Sequence, residues 1–186
     1  GSGSSPSKSG GSTGSTTGSR RNAYYHDLDL EDVVFEGRYG SAFNRHASGG
    51  SGRSWLNGPH PGHGPQKSEI EECTNFGIRD DGWSCFAHEG GAGGALALLA
   101  VVEGVVRCDE AAGVHDNPTA MLKTCLLARD LEPSLEDKAP PYMALVGVAE
   151  QFDLPMADPS DNRLGESKSI ARQIYDEIEP ADVDGA

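Results

Sequence analysis

The sequence has no apolar stretch that approaches the ~20 residues a helix needs to cross a bilayer. Its longest apolar run, from Ala95 to Val102, is far shorter than that. The opening residues lack the pattern of a secretion signal, because they are nearly all Gly, Ser and Thr. We therefore expect a cytoplasmic protein with no membrane partner.

Lysine is scarce and acidic residues are in excess. The chain has 29 Asp and Glu against 15 Lys and Arg, a net charge of −14. Residues 109–186 carry 17 acidic and 6 basic residues, so most of the acidity lies in the second half. Such a surface repels phosphates, which argues against simple electrostatic binding of nucleic acid. The composition is also typical of proteins from halophilic microbes, in which net charge maintains solubility.

The sequence divides into three segments by composition. Residues 1–22 are nearly all Gly, Ser and Thr and cannot bury apolar surface, which predicts a disordered linker. Residues 23–115 contain the motifs described below, and residues 116–186 form an acidic, helix-rich region. We predict an α+β fold, in which a small zinc-ribbon hairpin with a buried helix is followed by the acidic helices.

A hairpin and a buried helix are predicted in the middle segment. Residues 73–79 and 82–88 flank the turn sequence Asp80-Asp81-Gly82. The alternation places Phe76 and Ile78 on one side of the first strand. On the second strand it places Trp83, Cys85 and Ala87 on one face, with Phe86 on the other. Residues 95–102 are apolar all round, as expected for a buried helix. Residues 47–66 have the composition of a loop.

The second half is predicted to consist of helices. One begins at Asn117-Pro118, in the preferred order of cap and proline. Another begins at Pro141, and we expect it to face inward with Tyr142, Leu145, Val146, Ala149 and Phe152. A third begins near Glu166, with Ile170, Ile174 and Ile178 at a spacing of four.

Two short motifs indicate a metal site. His60-Pro-Gly-His63 is followed, after 21 residues, by Cys85-Phe-Ala-His88. A gap of two residues lets a tight turn place both ligands of a pair on one side of an ion, and the hairpin between the pairs brings them together. Zinc prefers four N or S ligands in a tetrahedron, and four protein ligands form a closed, structural site. We predict one structural Zn²⁺ held by His60, His63, Cys85 and His88.

The histidines and cysteines also have interpretations other than metal binding. A lone histidine in a Gly- and Pro-rich loop is usually only solvated. Cys73 is an alternative ligand, although it has no paired neighbour. Cys108 and Cys125 lie in apolar patterns and are interpreted as packing residues. The irregular spacing of the four cysteines does not suggest a disulfide scaffold.

The motifs resemble the zinc-binding domain of DNA primases, in the variety found in archaeal chromosomes, plasmids and viruses. The resemblance covers about residues 58–113 and runs through these segments in order: His60-Pro61-Gly62-His63-Gly64, Asn75-Phe76, Trp83-Ser84-Cys85-Phe86-Ala87-His88, Gly93-Gly94 and Glu103-Gly104. Histidine replaces cysteine at positions 60 and 88 relative to the bacterial pattern. Both replacements preserve a zinc ligand.

The resemblance implies recognition of single-stranded template DNA beside a primase, polymerase or helicase catalytic domain. The side chains suited to stacking or phosphate contact are Arg53, Trp55, Lys67, Arg79, Trp83 and Phe86. Trp83 and Phe86 have the alternative role of core residues. No acidic Toprim centre is recognised, and residues 90–97 lack the Lys-Ser/Thr ending of a phosphate-binding loop.

Three classes of function are therefore considered. The first is a primase-type DNA-recognition module for replication, without its own catalytic centre. The second is a zinc-stabilised protein-interaction module whose acidic helices dock a basic replication partner. The third is an enzyme, which would require an open ligand position on the metal.

Overall fold

The computed structural model describes residues 22–49, 55–65, 75–79, 82–156, 158 and 160–183. The predicted linker 1–22 therefore lies almost wholly outside the described residues, as do Arg53, Lys67, Cys73 and the turn residues Asp80 and Asp81. Within the described part, no helix is long and apolar enough to cross a membrane.

Three short helices open the fold. They are α1 (Ala23–His26), α2 (Leu30–Glu36) and α3 (Gly40–His46). The side chain of Asn22 caps α1 and that of Asp29 caps α2, each by accepting a backbone N–H of the first turn. Leu30, Val33 and Val34 are buried on one face of α2.

A five-stranded antiparallel sheet follows, with its strands in chain order. The strands are β1 (Ser48–Gly49), β2 (Leu56–Gly58), β3 (Phe76–Arg79), β4 (Gly82–Cys85) and β5 (Ala92–Gly93). The predicted hairpin is confirmed, since Phe76 pairs with Cys85 and Ile78 with Trp83. The loop prediction for 47–66 was wrong at β1 and β2, because these strands pair with each other and β2 extends the hairpin.

The two faces of the sheet differ sharply. Phe76, Ile78, Trp83 and Cys85 are all buried on the inner face. Gly77 and Ser84 pair with each other on the outer face, and Phe86 is 54% exposed there. The alternation predicted for both strands is therefore confirmed.

Helix α4 (Ala95–Val102) packs behind the sheet and is buried along residues 95–100, as predicted. A 3₁₀ helix (Cys108–Asp116) then leads into α5 (Pro118–Leu131), where the Asn117 side chain accepts from the backbone N–H of Ala120. This is the predicted cap. The remaining elements are a 3₁₀ helix (Pro133–Asp137), α6 (Tyr142–Gln151), α7 (Leu164–Glu177) and a 3₁₀ turn (Pro180–Asp182).

Two exposed apolar side chains mark the acidic half, and the inward direction predicted for one of them, Phe152, was wrong. Phe152 lies just beyond α6 and is 41% exposed. Ile170 is 45% exposed, because α7 buries Ala171 and Tyr175 instead. Ile178 is buried, but it caps the end of the helix, so the three isoleucines do not form one buried stripe.

One hydrophobic core includes buried residues from both sides of position 115. Tyr24 of α1 donates to the Leu135 carbonyl (3.1 Å), and Tyr175 of α7 donates to the Tyr24 hydroxyl (2.9 Å). These bonds tie the first helix to the last one. The division of the chain into residues 23–115 and 116–186 remains a prediction.

Candidate metal centre

The first histidine pair lies in a tight turn that closes on itself. The backbone N–H of Gly64 donates to the His60 carbonyl (2.9 Å), and φ of Gly64 is +82°, a conformation that favours glycine. Asn75 holds this turn from the side, since its Oδ1 accepts from the His60 N–H (3.1 Å) and its Nδ2 donates to the Gly64 carbonyl (3.0 Å). The hairpin strand β3 therefore positions the turn.

The second pair begins at the end of β4. The Cys85 N–H donates to the Gly91 carbonyl (2.6 Å), and the following Phe86 N–H donates to the Asn75 carbonyl (2.7 Å). These bonds direct the Cys85 side chain inward, where it is 5% exposed. His88 is exposed, with its Nδ1 3.5 Å from Cys85 Sγ.

A cluster of four donor side chains forms between these segments and the start of the 3₁₀ helix. One donor atom from each of His60, His63, Cys85 and Cys108 lies within 4.8 Å of the others. His60 is fully buried, both cysteines are buried, and His63 is exposed. This group can hold a metal ion.

Two of the distances within the cluster equal the N···S edge of a tetrahedral site. Zn–S bonds of about 2.3 Å and Zn–N bonds of about 2.0–2.1 Å give a tetrahedral N···S edge of about 3.6 Å. Sγ of Cys85 lies 3.5 Å from His63 Nε2, and Sγ of Cys108 lies 3.5 Å from His60 Nε2. The first of these distances fits an edge between two ligands of one ion, and the second fits either such an edge or an N–H···S hydrogen bond.

Gly91 makes room for the two sulfurs. A Cβ atom at this position would lie 2.7 Å from Cys108 Sγ and 2.9 Å from Cys85 Cβ. Both contacts are shorter than side chains tolerate, so only glycine lets the two cysteines approach at this point.

The electrostatics of the cluster favour a cation. A hydrogen bond from Cys108 lowers the pKa of Cys85 well below its ordinary value against the opposing effect of burial, and bonds from His63, Ala87 and His88 lower it further. The same bond raises the pKa of Cys108 above its ordinary value, and burial adds to this. Burial, followed by the neighbouring His63, lowers the pKa of His60 to about 3, so its ring is neutral.

Sequence reasoning missed Cys108. It was interpreted as a packing residue, and it is indeed 7% exposed, but its sulfur belongs to the donor cluster. No local spacing marks it, because it lies 48 positions from His60. The two histidine motifs were placed together as predicted, and His88 remains a candidate ligand beside Cys85. Cys125 is fully buried away from the cluster, in keeping with packing.

A cleft of about 310 Å³ opens beside the cluster. His63, His88 and Cys108 line it, together with Arg107 and Asp109. The candidate centre therefore has a route to solvent on the side where the two exposed histidines lie.

The DNA-binding candidates separate into two groups. Trp83 is 3% exposed, its indole N–H donates to the Gly94 carbonyl (2.9 Å), and its ring packs 5.7 Å from that of Phe76. It is a core residue with no free face for a base, which corrects its assignment to DNA contact. Trp55, Arg79 and Phe86 instead meet on the outer face of the sheet.

These three residues form what we term the outer-face cluster. The rings of Trp55 and Phe86 meet edge to face at 6.0 Å, and the Arg79 guanidinium lies 4.9 Å from the Trp55 ring centroid. The cluster covers Gly77, where a Cβ atom would lie 3.0 Å from Trp55 and 3.1 Å from Phe86. Arg79 and Phe86 are exposed.

Comparison with protein-family models, with curated proteins and with solved structures finds no match to this chain. The resemblance to primase zinc domains therefore rests on the motif residues alone.

Proposed function

We propose that this chain is a zinc-stabilised module that recognises single-stranded nucleic acid, acting as template, in DNA replication or priming. The observation that carries the proposal is the outer-face cluster of Trp55, Arg79 and Phe86, which lies directly beyond the candidate metal ligand Cys85. Aromatic rings stack on bases of any sequence, and a nearby arginine contacts phosphate or adds a cation–π interaction.

The metal supports this surface from behind. Cys85 and Phe86 are adjacent, with Cys85 directed into the donor cluster and Phe86 exposed on the opposite face. The ribbon is too small to form a core of its own, and its inner face depends on the common core and on the donor cluster. Bound zinc would therefore contribute to folding and fix the position of Phe86.

Zinc is the metal that the donors favour. Thiolate and imidazole ligands spaced for a tetrahedron suit Zn²⁺ rather than Mg²⁺ or Ca²⁺, which take oxygen ligands. Two buried sulfurs further favour a structural role. The resemblance to primase zinc domains points to the same metal and the same kind of nucleic acid.

Binding of a fluorescent oligo-dT by the zinc-loaded chain tests this proposal. We expect Phe86→Ala and Trp55→Ala each to weaken binding, because a stacked base contributes about 1–3 kcal/mol. Phe152→Ala is the matched control, since Phe152 is also exposed but belongs to the helical half. Weaker binding to duplex DNA of the same length would support recognition of single strands.

Two outcomes would contradict the proposal. One is equal loss of binding in all three variants, and the other is no binding at any salt concentration by a chain that retains its metal. The second outcome would favour the protein-interaction module. That alternative is supported by the net charge of −11 in residues 109–186, which would suit a basic protein partner.

A further inference from the structure

Four donor side chains lie within 4.8 Å of one another, and a fifth, that of His88, approaches one of them. Besides His60, His63, Cys85 and Cys108, the Nδ1 atom of His88 lies 3.5 Å from Cys85 Sγ. If the proposed zinc centre exists, on which this inference rests, one of the five has another role. The hydrogen bonds of the individual rings distinguish them.

The Nδ1 atom of His60 is already occupied by hydrogen-bond donors. It accepts from the backbone N–H of Gly62 (2.9 Å) and faces that of His63 (3.4 Å). A backbone N–H can only donate, so this nitrogen carries no proton. An imidazole ring whose Nδ1 carries no proton has its proton on Nε2, so Nε2 of the buried His60 ring is a donor.

The protonated Nε2 of His60 faces Cys108 Sγ at 3.5 Å. A nitrogen that carries a proton has no lone pair for a metal. A histidine ligand ordinarily donates its second ring N–H to a carboxylate, a carbonyl or water. Nδ1 of His60 instead faces the N–H groups of Gly62 and His63, so it accepts where the second nitrogen of a histidine ligand would donate.

His88 has no such conflict. Its Nδ1 lies at the N···S spacing of a tetrahedral edge from Cys85 Sγ, and its ring meets that of His63 at 4.7 Å, nearly perpendicular. Both exposed histidines line the same cleft as Cys108. Two sulfurs from inside and two imidazoles from the cleft side would surround one ion.

We propose that His63, Cys85, His88 and Cys108 ligate the zinc, and that His60 is a positioning residue whose Nε2–H donates to the Cys108 sulfur. An N–H···S bond of this kind orients the sulfur and offsets part of the thiolate charge. In the turn His60-Pro61-Gly62-His63, the first histidine then accepts from the turn's backbone and donates to Cys108, while the second ligates the metal.

Two asparagine variants of the full chain test this division of roles. Asparagine Oδ1 takes the place of a ring Nδ1, so His60→Asn still accepts from the Gly62 and His63 amides but cannot reach Cys108. His88→Asn removes a ring of the same size from the cleft side. We expect His60→Asn to keep one zinc per chain, with an affinity for zinc lowered at most about 10- to 100-fold. We expect His88→Asn to lower the affinity for zinc by a much larger factor.

A second measurement needs no variant. Long-range ¹H–¹⁵N spectra of the zinc-loaded chain, labelled in its histidine rings, report which ring nitrogen carries the proton. We expect His60 to be protonated on Nε2 with Nδ1 bare, and His88 to have Nδ1 bound to metal.

The reverse pattern would overturn the inference. His60→Asn would then lose zinc, His88→Asn would keep it, and the spectra would find no proton on His60 Nε2. That result leaves the zinc centre intact with His60 as a ligand. A wild-type chain that binds no zinc would overturn the metal centre itself, and this inference with it.

Discussion

Nε2 of His60 lies 3.5 Å from Sγ of Cys108, although the two residues are 48 positions apart in the chain. The contact joins the turn before the hairpin to the first residue of the 3₁₀ helix beyond α4. The donor cluster thus brings together two segments that flank the hairpin and the buried helix. It lies where the sheet and the helical region meet.

Gly91→Ala is predicted to disrupt the metal centre. The new methyl group would lie 2.7 Å from Cys108 Sγ, which forces the two cysteines apart. We expect a loss of about 1–3 kcal/mol in the free energy of unfolding, as for other overpacked sites, and weaker zinc binding. Urea unfolding and competition with a chromophoric chelator measure the two effects.

Gly113→Ala is the matched control for that experiment. Nothing lies within 4 Å of a Cβ atom at Gly113. It should leave zinc affinity unchanged and raise stability by about 0.4–1 kcal/mol, because alanine restricts the unfolded chain. Similar zinc affinity in the two variants would refute the crowding argument.

Asn75→Ala is predicted to loosen the first histidine turn. Asn75 bonds the backbone of His60 and of Gly64, and it is 5% exposed. Removing its amide leaves buried backbone groups unpaired, which costs about 1–3 kcal/mol. Asn44→Ala, on the exposed side of α3, should change stability by no more than about 0.5 kcal/mol. Equal losses in the two variants would contradict the role of Asn75.

Removal of the metal is predicted to disorder the sheet before the helices. Trp83 packs between the donor cluster and the core, with its ring 5.8 Å from that of His60. Chelation should therefore abolish the near-ultraviolet dichroism of Trp83 while much of the helical signal persists. Cys125→Ala should respond as the wild type does, because Cys125 lies outside the cluster. An unchanged Trp83 signal after complete metal loss would show that zinc does not support the ribbon.

Stability is predicted to fall steeply above pH 10. Burial raises the pKa of Tyr24 to about 12 and that of Tyr175 above its ordinary value. The unfolded chain loses these protons near pH 10 while the folded chain keeps them. The stabilisation is therefore complete below pH 10 and declines as the pH rises towards the folded values, by up to about 1.4 kcal/mol per pH unit for each group.

Tyr175→Phe separates this effect from other alkaline changes. It removes one titrating group and the bond to the Tyr24 hydroxyl. Urea unfolding should find the free energy of unfolding of the variant lower by about 1 kcal/mol at pH 7. Between pH 10 and 12 that free energy should decline less steeply than in the wild type. An unchanged slope would contradict the assignment to Tyr175.

The elements that could be predicted from the sequence are those with a pattern among neighbouring residues. The alternation of Phe76 and Ile78, the all-round apolar helix at 95–102 and the Asn117-Pro118 cap each depend on neighbours within a few positions. Strand β2 was missed because its partner is β3, across a segment rich in Gly and Pro. Its three residues carry no strand pattern of their own.

The candidate site was predictable only in part for the same reason. The paired motifs bring His63 and His88 towards Cys85 through a hairpin, which short-range patterns reveal. Cys108 joins through the packing of α4 and the 3₁₀ helix against the sheet, and only the tertiary structure reveals this. The outer-face cluster similarly depends on strand register, which brings Trp55 and Phe86 together over Gly77.

Elemental analysis with X-ray absorption on the purified chain tests the central claim most directly. We predict one zinc per chain with two sulfur and two nitrogen ligands, the sulfurs being those of Cys85 and Cys108. A shell with three nitrogens and one sulfur would exclude Cys108 from the metal. A chain free of metal after zinc-supplemented purification would contradict the metal centre altogether.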